Sequence, residues 1–212
     1  MVIFHFCYDL RYFGYVNWYV PNGPNWWPFR YLILTLFIFT SGVSLSLAHK
    51  ARFRQKAFAK RLMQLIAAAI LITTVSLFLF PSSWIYFGVL HFIVVATLLG
   101  APLVNYPVIA LGVATAILLG FWSGLLPTEW PYVWFSPWLP SDTEDFVPLI
   151  PWLGVMYLGV GIAGALPVNT WDLPVTQWLR PMACIGQHGL MIYLLHQPLL
   201  FAGFMLVNRI GN

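Results

Sequence analysis

The sequence predicts an all-α protein, a polytopic integral membrane helix bundle of about six full spans with an N-terminal helix stub. Three observations carry that expectation. Of the 212 residues, 60% are hydrophobic and only 8% are charged, with a mean hydropathy of +0.80. A water-soluble domain carries roughly a quarter charged residues. Residues 62–128 form a run of 67 without one Asp, Glu, Lys or Arg. So long an uncharged surface finds a favourable solvent only in a bilayer, where helices satisfy their own backbone groups. Aromatic residues make up 18%, with 11 Trp, which suits belts at both membrane–water interfaces. The whole chain, 1–212, reads as one membrane-embedded domain.

The first element, at 1–14, is the stub. Its apolar start is too short to span before Asp9 and Arg11 arrive. No basic segment precedes it and no small-residue cleavage site follows, so it does not read as a signal peptide. It reads as the second half of a transmembrane helix whose first half is missing, through truncation or a start codon placed too late. Full spans are expected at 30–48, 62–80, 84–100, 107–126, 147–166 and 182–208. Residues 17–27, rich in Trp, Asn, Gly and Pro, form the loop before the first of these. The next connection holds six of the ten cations: Lys50, Arg52, Arg54, Lys56, Lys60 and Arg61. Such a block marks a cytoplasmic loop; contact with anionic lipid or a phosphate-bearing substrate stays open.

Further along, Pro81, Ser82 and Ser83 signal a hairpin turn, and Pro102 and Pro107 bracket an inner turn. Residues 127–146 carry four of the six acids, Glu129, Asp142, Glu144 and Asp145, and fall on the outer side. The inner connection 167–181 carries Asp172 and Arg180. With the stub left aside, seven cations lie inside and only Arg30 and Arg209 outside. The formal charge of +4 therefore reports topology, and no nucleic-acid partner is expected. Cys7 and Cys184 support neither a disulfide framework nor a metal site and read as small buried hydrophobes. Gly120 with Gly124, and the run Gly154, Gly159, Gly161 and Gly164, predict close helix packing; they permit a homo-oligomer without requiring one.

An ionisable side chain inside an apolar span is costly and marks a functional candidate. His5 and Asp9 are four apart, on one helical face. A carboxylate beside an imidazole fixes its tautomer and raises its basicity, as a general base requires. His91 is expected near the middle of its span and His196 near the centre of the last. With His5 at similar depth, three imidazoles could meet near the bilayer midplane. Each taken singly reads equally well as a satisfied core histidine. His188, expected to begin the final helix, and His49, beside the basic loop, read as interfacial. There is no His-Glu-x-x-His, nucleophile elbow, Walker loop or dinucleotide fingerprint, and no metal is expected.

Several blocks resemble a known family. They are Phe4-His5-Phe6-Cys7-Tyr8-Asp9-Leu10-Arg11-Tyr12-Phe13-Gly14, Trp26-Trp27-Pro28-Phe29-Arg30-Tyr31 and Phe39-Thr40-Ser41-Gly42-Val43-Ser44-Leu45. Phe87-Gly88-Val89-Leu90-His91, the stretch 146–154, and Gly186-Gln187-His188-Gly189-Leu190-Met191-Ile192-Tyr193-Leu194-Leu195-His196-Gln197-Pro198 continue in order. Together they resemble the bacterial heparan-α-glucosaminide N-acetyltransferase-like membrane proteins, over essentially the whole chain. More loosely they resemble the wider transmembrane acyltransferase superfamily.

The resemblance implies transfer of an acetyl or other acyl group from cytoplasmic acyl-CoA, with acetyl-CoA as co-substrate, to a sugar or glycan acceptor at the outer face. It also implies a bacterial inner (cytoplasmic) membrane location. Two departures stand out. The family's Arg-containing stretch ahead of the histidine is absent here. The lumenal-loop histidine of lysosomal members has no counterpart in residues 20–27, which makes His5 the better base. On this reading Asp9 orients His5, while His196 and His91 donate hydrogen bonds or anchor substrate. Arg30 either holds a carboxylated or phosphorylated acceptor or snorkels to headgroups, and Arg180 or the basic loop contacts CoA phosphates. A reading from another class is a small proton-coupled transporter using the same histidines as a relay. The lack of visible inverted repeats stands against it.

Overall fold

The computed structural model describes residues 1–20, 23–50, 52–166 and 180–211, without the side chains of Arg180, Ala183, Ile210 and Gly211. Its helices are α1 (Val2–Tyr12), α2 (Trp26–His49), α3 (Gln55–Leu79), α4 (Val89–Gly100), α5 (Pro107–Trp122), α6 (Leu149–Ala165), α7 (Arg180–Gln187) and α8 (Gly189–Gly211). Short 3₁₀ turns occupy Ala101–Asn105, Tyr132–Trp134 and Ser136–Trp138. Among the described residues there is no β-strand.

Among the described residues three helices, α2, α3 and α8, are long and apolar enough to cross a membrane. Of the six expected full spans, three correspond to these helices, and α4, α5 and α6 are shorter apolar helices. Of the short ones, α5 has 16 residues and α6 has 17, about 25 Å of helix against an apolar thickness of about 30 Å. Large apolar side chains such as Phe78, Val108 and Trp122 face outward. Hydrocarbon, not water, is the solvent that tolerates such a surface.

Helix ends depart from expectation at α3 and in the last predicted span. α3 begins at Gln55, so Lys56, Lys60 and Arg61 ride on its first turns and not in a loop. Their long stems let the charges reach out of the apolar zone. The last predicted span is two helices, broken at His188 between α7 and α8. His188 therefore precedes α8 and does not begin it; glycines on either side, Gly186 and Gly189, weaken the helix there. Cys184, expected to be buried, is exposed on α7, and Cys7 is half-buried.

The chain divides into two compact units. One comprises Met1–Leu34 and Asn169–Asn212, and it pairs α1 with α8 through aromatic rings. Phe13 stacks on Phe204 at 5.3 Å and 16°, and Tyr12 packs on Phe201 at 5.2 Å. The Tyr15 hydroxyl donates to Asn208 Oδ1 at 2.8 Å. On the other side of α1, buried Phe4 meets Trp26 and Phe29, each at 6.2 Å. The Arg11 guanidinium donates to the Val20 carbonyl.

The other unit, Thr35–Val168, contains the rest of α2 and α3 to α6 around a core that includes Ile38, Leu90, Phe92 and Met156. Glycines let its helices approach. A Cβ at Gly42 would strike the Met156 carbonyl, and one at Gly159 the Phe39 carbonyl, so α2 and α6 touch backbone to backbone. Gly154 and Gly161 face Leu118 and Leu111 of α5. Gly120 and Gly124 are not a packing pair. α5 ends at Trp122, and Gly124, at φ 74°, forms the turn beyond it, a conformation that glycine adopts without steric cost.

The acidic segment folds over the far end of α3. Ser83 Oγ donates to Glu144 Oε1 at 2.8 Å, Thr143 Oγ1 donates to the Trp84 carbonyl at 2.9 Å, and Asp145 Oδ2 accepts from the Val89 N–H at 2.9 Å. The 25 residues of α3, about 37 Å of helix, thus separate a cationic end from an acidic one.

Candidate functional site

Residues one turn apart on α1 face neighbouring residues of α8. The His5 and His196 rings lie with centroids 4.9 Å apart and planes at 61°. One turn on, Gln197 Nε2 donates to Asp9 Oδ1 at 2.9 Å. Asp9 is fully buried and His196 is 9% exposed. The result is a ladder of two rungs, His5 on His196 and Asp9 on Gln197, joining the two helices.

The tautomer of His196 follows from its partners. Nδ1 lies 2.7 Å from the Tyr193 carbonyl and 3.1 Å from that of Ile192. A carbonyl only accepts, so Nδ1 carries the proton and Nε2 presents a lone pair. Among the described residues that Nε2 is buried with no hydrogen-bond partner, as are Asp9 Oδ2 and Gln197 Oε1. Buried polar atoms are normally paired. Three unpaired acceptors on adjoining residues of one ladder make it the candidate site.

The expected hydrogen-bonded pair of His5 and Asp9 does not form. Helical spacing places them on one face, but the short carboxylate meets the directional N–H of Gln197 on the facing helix. Among the described residues, the His5 ring instead packs against Phe4 at 5.7 Å and His196. Arg30, near the start of α2, is half-buried and within electrostatic reach of His5. Arg180 opens α7, and its side chain lies outside the described residues. Gln197 was not a sequence candidate. Its only signal was an uncharged polar residue beside a histidine in an apolar helix.

His91 belongs to the unit Thr35–Val168 and sits in the first turn of α4, not at mid-span. Side chains take up amides ahead of α4 and at its first residue: Ser76 Oγ accepts from Ile85 N–H at 2.9 Å, and Asp145 from Val89. His91 Nδ1 accepts from the Gly88 N–H at 3.3 Å. Its Nε2 lies 3.0 Å from Thr73 Oγ1, whose hydroxyl donates to the Ile85 carbonyl at 2.8 Å. Nε2–H is therefore the donor to Thr73, and both ring nitrogens are engaged. His49, expected at an interface, is buried between Phe53 at 4.8 Å and Phe58 at 5.6 Å. Among the described residues, no group of three or more His, Cys, Asp or Glu could hold a metal ion.

Residues 1–198 match the family described as Heparan-alpha-glucosaminide N-acetyltransferase, catalytic. The match takes in all of Thr35–Val168 and the four ladder residues His5, Asp9, His196 and Gln197, and ends within α8. No curated protein and no solved structure matches the chain. With nearly its full length matched and its apolar helices of membrane-crossing length, the chain belongs to the heparan-alpha-glucosaminide N-acetyltransferase family of membrane acetyltransferases.

Proposed function

We propose that this protein moves an acetyl or other acyl group from acyl-CoA, supplied from the cytoplasm, to a sugar or glycan acceptor at the outer face of a bacterial cytoplasmic membrane. Both units act together as one membrane-embedded domain, which the family match across both supports. In this reading the short helices α4, α5 and α6 also cross, making six crossings with α2, α3 and α8.

The observation that carries the chemistry is the free Nε2 of His196, its proton held at Nδ1 by two carbonyls. Acyl transfer needs a base for the acceptor proton and a donor for the tetrahedral oxyanion. As the acceptor oxygen or nitrogen attacks the thioester carbon, its proton passes to Nε2. The new C–O or C–N bond forms and the carbonyl oxygen becomes an oxyanion. On collapse the C–S bond breaks, and the CoA sulfur takes the proton back from His196. In between, the imidazolium is stabilised by the Tyr193 and Ile192 carbonyls that already accept from Nδ1.

His5, against the His196 ring, supplies an N–H to the oxyanion or shares the base role. Asp9, through Gln197, keeps α1 in register with α8. Arg30 holds an anionic acceptor group near His5. Arg180 or the cations at the start of α3 contact CoA phosphates. His91, engaged with Thr73 and Gly88, ties α4 to α3 and does not touch substrate. The intramembrane proton relay of a transporter finds no further support, since family membership favours the transferase.

The test is acetyl transfer from radiolabelled acetyl-CoA in membranes containing the protein. His196→Ala and His5→Ala each lower transfer by about 10²–10⁴-fold at unchanged protein level. Wild-type turnover in His196→Ala would overturn the proposal.

A further inference from the structure

The polarity of the ladder says which reactant it receives. Among the described residues His196 Nε2, Asp9 Oδ2 and Gln197 Oε1 are all buried and unpaired, and each presents lone pairs as an acceptor. The Gln197 amide cannot turn to offer its N–H groups there, because Nε2 is held by Asp9 Oδ1. Asp9 Oδ2 and Gln197 Oε1 are each bonded to the same carbon as one partner of that hydrogen bond, so they flank it closely. A thioester carbonyl, a phosphate or a carboxylate brings only acceptors of its own and is repelled by such a surface. A group carrying two adjacent donors, such as neighbouring hydroxyls or an amine beside a hydroxyl, satisfies it.

We propose that the unpaired acceptors of Asp9 and Gln197 bind the donor groups adjoining the reacting atom of the acyl acceptor, and that Gln197 is a specificity-determining residue. The inference rests on the acetyltransferase reading of the ladder and adds to it. Asp9 has two roles here: one oxygen orients the Gln197 amide and the other receives a substrate donor. The acyl-CoA thioester end approaches the ladder from outside this acceptor surface.

The experiment measures acetyl transfer by the intact protein in membranes to methyl glucosaminide, to methyl glucoside, and to versions of each lacking one hydroxyl beside the reacting group. The wild type prefers the complete acceptors by about tenfold or more, as sites built to pair a donor reject analogues without it. In Gln197→Met, which keeps the side-chain length, that preference falls to near unity. The KM for the acceptor rises while the KM for acetyl-CoA stays within about twofold. The glucoside and glucosaminide arms tell whether the donors are hydroxyls alone or include an amine.

Equal use of complete and deoxy acceptors by the wild type overturns the inference while leaving the transferase reading intact. That arm needs no variant. Gln197→Met that keeps wild-type selectivity, or changes only the KM for acetyl-CoA, also overturns it. Absence of transfer to every acceptor overturns the underlying reading itself.

Discussion

His196 and His91 carry the same ring in equally apolar surroundings, and their hydrogen bonds separate their roles. His91 spends both nitrogens on Thr73 and Gly88, whereas among the described residues His196 keeps one lone pair unclaimed. His91→Phe therefore lowers stability by about 1–3 kcal/mol, since the Gly88 N–H and the Thr73 hydroxyl lose a partner. Thermal unfolding in detergent measures the loss, and turnover per folded molecule stays near wild type. A hundredfold fall in turnover at an unchanged melting temperature would return His91 to the substrate. The sequence exposed His5, Asp9 and His196 because ionisable groups stand out in apolar helices. It could not show that Asp9 bonds Gln197 in place of His5. The choice depends on how α8 registers against α1, and helical spacing along one strand of chain carries no information about its neighbour.

Glycine decides how closely the helices of the larger unit approach. Gly42 and Gly159 sit where a side chain meets opposing backbone, which cannot rotate away as a flexible side chain would. Gly159→Val should cost about 1–3 kcal/mol or more through overpacking and lower the yield of folded protein in membranes. Gly112→Ala, in open space on α5, is the control and should be neutral or stabilising by up to about 1 kcal/mol. Comparable losses in both variants would remove the close-approach explanation. The glycine-rich span was legible because its spacing fits helix packing. Helix ends were less so. Composition hardly changes across residues 62–128, so the boundaries are set by individual hydrogen bonds. The carboxylate that caps α4 at Val89 comes from Asp145, 56 residues away in sequence.

Across the whole molecule, charge and helix length together support the orientation proposed, with the basic end of α3 facing the cytoplasm. The cations at the start of α3 and the acids beyond its end are separated by a helix of membrane-crossing length. A cysteine replacing Lys60 should react with an impermeant maleimide only in inside-out vesicles, and one replacing Asp142 only in intact cells or spheroplasts. Labelling of both from the same side would refute the orientation. In the proposed six-crossing arrangement, the brevity of α5 and α6 has a further consequence for the lipid around them. Helices shorter than the hydrocarbon layer draw the two leaflets together, at fractions of a kcal/mol per ångström of mismatch. Reconstituted into phosphatidylcholines of rising acyl-chain length, the protein should be most stable in the thinnest bilayers. A locally pinched membrane would also shorten the path that an acyl group must travel between one aqueous face and the other.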